Sequence, residues 1–123
     1  MPTMPISGND LARFSGPQTF MRLPEASSAE AIDVGFIGIP MDIGTSWRSG
    51  TRFGPKQLRQ ESAMIRPYNI QTGAAPFDAL ECADLGDVAV NTFNLSETIR
   101  LITQTYDAHL QHDVIPMGLG GDH

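Results

Sequence analysis

Val114-Ile115-Pro116-Met117-Gly118-Leu119-Gly120-Gly121-Asp122-His123 closes the sequence, and its reading decides the fold. An apolar run gives way to glycines, then to an acid and an imidazole. That order describes a buried strand delivering polar groups at its C-terminal end. In open α/β sheets ligands bind at that edge. Upstream, Leu95, Ile99, Ile102, Tyr106 and Leu110 recur at spacings of four, three, four and four, which predicts an amphipathic helix feeding the strand. Asn94 and Glu97 stand three apart, as the N-cap and N3 acid of a capping box do. His109 and His112 read as surface or capping residues near the helix C-terminus, where positive charge favours the dipole.

Further back, Val34-Gly35-Phe36-Ile37-Gly38-Ile39-Pro40 is apolar without alternation, as a strand covered on both faces of a parallel sheet would be. A long polar loop follows over residues 41–54. It carries Asp42, Trp47, Arg48 and Arg52, and a loop of this length after a first strand is often functional. Trp47 reads as a packing anchor. The arginines read as salt bridges that shape the loop or as subunit contacts, with a substrate carboxylate as the sharper alternative. Asp42 reads as a cap for the loop, with a group facing a cationic substrate as the alternative. Gly54-Pro55 predicts a helix start, with Leu58, Ser62 and Ile65 on one face and Pro67 stopping it near Arg66. Residues 68–80 read as irregular, and Glu81 to Val88 as a second, short strand. Strand, helix, strand, helix, strand implies crossovers and a parallel sheet. Residues 1–30 are rich in Pro, Gly and Ser and read as an N-terminal arm. Within them Phe20-Met21-Arg22-Leu23-Pro24 is apolar enough to pack against the body or a neighbouring subunit.

Composition narrows the function. Eight basic residues against fourteen acidic ones give a net charge of −6, which argues against nucleic acid as the main partner, since phosphate binding needs clustered Lys and Arg. The single cysteine, Cys82, excludes an intrachain disulfide and favours a reducing, cytoplasmic setting; it reads as a small buried hydrophobe. No apolar run approaches the roughly 18 residues needed to span a bilayer.

At the closing motif the residues alone leave three readings. Glycine-rich turns cradle phosphates, but Gly118-Leu119-Gly120-Gly121 lacks the dinucleotide spacing and no Lys-Ser/Thr follows. Histidine is a common metal ligand as neutral imidazole, and Asp122 is placed to orient it from behind. An ordinary polar loop at a strand end is the third.

The whole stretch resembles the first metal-binding motif of the ureohydrolase superfamily, the arginases, agmatinases and guanidinobutyrases. The likeness extends to Ile37 through Ser46, to Arg48 through Pro55 with Leu58, Arg59, Glu61 and Ser62 beyond, to Asp84-Leu85-Gly86-Asp87-Val88, and to Phe20 through Pro24. Arg66-Pro67-Tyr68-Asn69 and Thr72 through Phe77 are similar to the agmatinase and guanidinobutyrase branch. The resemblance implies the N-terminal part of a three-layer α/β/α fold with a mostly parallel sheet, residues 31–123 forming part of the catalytic domain. It implies His123 as a ligand to one of two Mn²⁺ ions, with Asp122 beside it. A water bridging the ions would supply hydroxide at neutral pH to hydrolyse agmatine or 4-guanidinobutyrate to urea and an amine. It also implies a homo-oligomer, a trimer or hexamer, when complete.

The family's other carboxylate ligands lie on later segments of Asp-x-His-x-Asp and Asp-x-Asp type, which this sequence does not contain. The expectation is therefore an N-terminal fragment of a longer enzyme, inactive alone, with no catalytic residue assignable within it. The alternative is a non-enzymatic binding or regulatory protein of the same fold.

Overall fold

The computed structural model describes residues 3–122. Three strands, β1 (Val34–Ile39), β2 (Cys82–Asp87) and β3 (Ile115–Gly120), form one sheet in the order β2-β1-β3. Both pairings are parallel, Val34 aligning with Cys82 on one side and with Ile115 on the other. Central β1 is the most apolar strand, with Gly35 through Gly38 all buried. The parallel sheet and its helices accord with the α/β fold that the sequence implies.

The order explains where the helices lie. From β1 the chain passes through α1 (Gly54–Ser62) and the short α2 (Pro76–Ala79) to β2, then through α3 (Leu95–His109) back across β1 to β3. Travel along the sheet reverses, so right-handed crossovers put the two connections on opposite faces. On one face Phe20, Leu23, Phe36, Phe77 and Cys82 form the core, with Leu119 packed against it. On the other, Tyr106 of α3 lies so close to Gly118 that a Cβ there would overlap its hydroxyl.

The N-terminal segment belongs to this core. Phe20 and Leu23 are 2% and 1% exposed, each burial contributing about 1.5–3 kcal/mol. Asp84 donates its N–H to Pro24 and Ala26 donates to Asp84, at 3.0 and 2.9 Å, so the segment also covers the outer edge of β2. A 3-10 turn at Phe20–Arg22 carries Met21 and Arg22 at φ of 53° and 57°. For non-glycine residues this left-handed geometry costs on the order of 1–3 kcal/mol each, and the burial of their neighbours offsets it.

Several local expectations change. Residues 68–80 contain α2, which seats Phe77 in the core at 5% exposure. Helix α1 ends at Ser62 rather than near Arg66, and it buries Pro55 and turns Arg59 inward to 13% side-chain exposure, while Leu58 and Ile65 stay exposed. Asn94 caps α3 by accepting from the Glu97 N–H at 3.0 Å, but the Glu97 carboxylate turns to Arg100 instead of completing the box. The buried residues of α3 are Thr98 and His109, so its sheet-facing side is displaced from the apolar stripe; Leu95, Ile99 and Leu110 remain exposed. His109 is thus a buried residue, not a surface one. Burial, then the nearby His112, holds its imidazole below the ordinary value. Cys82 is buried as expected, and burial pushes its thiol up.

Candidate functional site

The order β2-β1-β3 places a topological switch point between β1 and β3, and open sheets bind ligands in the crevice outside that point. Two segments meet there. The loop leaving β1 wraps the turn leaving β3: Asp122 donates its N–H to the Met41 carbonyl at 2.8 Å, and Gly121 donates to Thr51 at 3.3 Å. Gly54, at the start of α1, lies so near the Gly120 carbonyl that a Cβ could not fit without something shifting. Gly121 sits at φ 73°, and a Cβ there would collide with the carbonyl oxygens of Ile39 and Met41. The glycines the sequence placed here are thus required by close approach as well as by turning.

The loop is built around Asp42. Its carboxylate is buried and accepts from the Gly50 N–H at 2.8 Å, the Arg52 N–H at 3.4 Å and the Arg52 guanidinium at 2.9 and 2.7 Å. These bonds, the Arg52 side chain first, hold its pKa at about 2 against an ordinary 3.8. Asp42 and Arg52 therefore take the capping and loop-shaping roles read from the sequence. Trp47 does not anchor the loop; it is 86% exposed. Arg48 is exposed and makes no ion pair among the described residues.

One prediction follows from this cap. The folded pKa of Asp42 lies below the unfolded one, so its contribution is present above about pH 4 and fades as pH falls toward 2. In the complete protein, Asp42→Asn should lower the Tm at neutral pH, and its deficit should shrink progressively between pH 4 and 2. A deficit independent of pH across that window would show that the charge is not what holds the loop.

Asp122 is the chemically distinctive residue of the turn. Both carboxylate oxygens are buried without a partner among the described residues. A Cβ on Gly44 would lie 3.0 Å from one of them, so glycine at 44 leaves that carboxylate its room. A buried carboxylate is costly unless a cation or a hydrogen-bond donor meets it. The adjoining His123 lies outside the described residues. An unsatisfied carboxylate beside a histidine fits the donor chemistry of a divalent manganese ion. The count is incomplete: among the described residues no group of three or more His, Cys, Asp or Glu side chains could hold a metal.

A second charged cluster escaped the sequence reading. Arg59 of α1 donates from Nε and Nη2 to the two oxygens of Asp84, at 2.9 and 3.1 Å, and from Nη1 to Asp87 at 2.7 Å. It also stacks 4.3 Å from the Phe20 ring centroid. Asp84 accepts further bonds from the N–H groups of Phe20 and Gly86. Burial alone would push its carboxyl up; the Arg59 fork and the two N–H groups outweigh it and hold it below the ordinary value. Asp84, an acid in the middle of a short strand, was the available signal, since such a buried group demands a basic partner.

A doubly wound sheet whose switch point carries the buried carboxylate of Asp122 defines a class of α/β proteins with a ligand or metal site at the strand ends. Comparison with known proteins makes this specific. The model of the arginase family matches residues 32–123, and the chain belongs to that family. It is 59% identical over 122 residues to a guanidinobutyrase of Pseudomonas aeruginosa, covering 97% of this chain and 38% of that protein. It is 49% identical to a mitochondrial agmatinase of Gallus gallus, covering 98% of this chain and 35% of that one. The structure of proclavaminate amidino hydrolase from Streptomyces clavuligerus superposes with a TM-score of 0.85 at 37% identity, over 90% of this chain and 37% of that one. The chain thus spans just over a third of the length of these relatives.

Proposed function

We propose that this chain forms part of a manganese-dependent enzyme that hydrolyses a guanidino compound, 4-guanidinobutyrate or agmatine, to urea and an amine. One observation carries the reading: at the switch point, a clasped turn holds the Asp122 carboxylate, buried and without a partner among the described residues, directly before His123 in the sequence. Membership of the arginase family and the higher identity to a guanidinobutyrase than to an agmatinase support it. In this proposal His123 would be a ligand and Asp122 would orient its imidazole. Bound manganese would lower the pKa of a coordinated water and so provide hydroxide near neutral pH. The chain's own residues position the turn: Asp42 and Arg52 shape the loop, and Gly44, Gly54 and Gly121 let it close on the strand end.

The proposed enzyme is cytoplasmic and assembles as a trimer or hexamer. No helix among the described residues is long and apolar enough to cross a membrane.

Two measurements test the reading. His123→Ala in the complete protein should lower manganese content by elemental analysis; unchanged content would remove His123 from the ligand set. The 123-residue chain by itself should release no urea from either substrate, because metal affinity rises with the number of charged ligands held in place. Urea release by the purified chain would overturn that ligand count.

A further inference from the structure

At the far end of α1 from Gly54, a cavity of about 600 Å³ lies between the N-terminal segment and residues 63–70. Arg13, Arg22 and Arg66 line it, three of the eight basic residues in a chain of net charge −6, and no carboxylate does. Arg22 is 3% exposed. Its Nη2 donates to the Leu11 carbonyl at 2.9 Å, while Nε and Nη1 are buried with no partner among the described residues. Arg13, half-buried, and Arg66, exposed, make no ion pair with any described acid. A buried guanidinium with two empty donors is held at a cost that only an acceptor relieves. The backbone that carries it is tied on both sides, since Met21 donates its N–H to Ser62 at 2.8 Å and Ile6 donates to the Arg22 carbonyl at 3.5 Å.

The remaining walls narrow the ligand. Ile6, Met21, Ile65 and Ile70 supply apolar surface, and Tyr68 an amphipathic ring. The volume falls in the range of small-molecule pockets, whose few polar groups fix orientation. We propose that this cavity is a binding site for a small aliphatic carboxylate. Its carboxylate meets the arginines, with Arg22 as the buried anchor, and its hydrocarbon body lies on the isoleucines. Guanidinium geometry favours carboxylate through paired N–H donors.

The test is a thermal-shift titration of the complete protein with sodium butyrate in low-chloride buffer, beside butylamine and inorganic phosphate. Butyrate should raise the Tm saturably, butylamine should not, and phosphate should do less than butyrate because it leaves the apolar wall uncovered. The double variant Arg13→Ala/Arg66→Ala removes two side chains that lie outside the core, so it leaves the fold intact. It should raise the half-saturating butyrate concentration roughly tenfold or more, given the worth of charged hydrogen bonds. Arg22→Met, if it folds, should abolish the shift. A shift unchanged in the double variant would place butyrate elsewhere and overturn the proposal. So would an absent shift, or a larger one with phosphate. An acidic side chain of a second copy filling the cavity would show as no butyrate effect together with an altered oligomeric state in the double variant, and that result too would overturn it.

Discussion

Arg59→Met should cost the complete protein about 3–5 kcal/mol, the usual consequence of removing one partner from a buried ion pair. Arg59 and Asp84 side chains are only 13% and 2% exposed, so solvent cannot replace the lost fork. The variant leaves Asp84, with two backbone N–H partners, as an uncompensated charge between the N-terminal segment and the sheet. Phe20 loses its stacked guanidinium at the same time. Thermal unfolding should register a fall of roughly 5 °C. Arg59→Lys should recover only part of it, since an ammonium offers no planar fork. Adding Asp84→Asn to the methionine variant should restore stability relative to the single change, because the stranded charge is gone. An Arg59→Met protein within about 0.5 kcal/mol of the parent, the range of ordinary surface changes, would show the cluster to be a surface ornament of the fold.

Gly121→Ala should have the larger effect on activity. Two constraints coincide at this position: φ is 73°, and a Cβ would strike the Ile39 and Met41 carbonyl oxygens. Alanine therefore cannot be accommodated by a rotamer change. The turn must shift away from the β1 loop, breaking the Asp122–Met41 hydrogen bond and moving Asp122. Misplacement of catalytic groups by about 1 Å can cost on the order of a hundredfold in rate. On the proposed function, the complete protein should lose at least that much kcat with reduced manganese content, while the Tm falls far less than in Arg59→Met. Full activity in Gly121→Ala would separate the turn from the proposed chemistry.

These two residues show what kind of information the sequence carried. The glycines and the Asp-His at the strand end were legible because turn geometry and close approach leave few other choices of residue. The three strands and α3 were legible from apolar runs and helical spacing. Arg59 was not, because α1 was assigned its face from Leu58 and Ile65, while the fold buries Pro55 and turns Arg59 inward instead. Periodicity registers apolar residues, and an arginine neutralised by two acids 25 and 28 positions away is invisible to it. His109 was misplaced for the same reason, since residue type alone does not report which face of a helix meets the sheet; Trp47 was misplaced because a loop has no periodicity to say what packs.

By itself, then, the sequence determined the parallel α/β class, the family likeness, and the polar turn that ends the third strand, since each rests on local patterning or on motif. Only the tertiary structure decided the strand order, and with it the switch point that brings the 41–54 loop onto Gly121 and Asp122. It alone showed that both Asp122 carboxylate oxygens are buried without a partner among the described residues, that Asp84 is matched by Arg59, and that three arginines converge on one cavity. Those facts depend on contacts between segments far apart in the chain, and long-range pairing of charges leaves no periodic trace in the residues that make it.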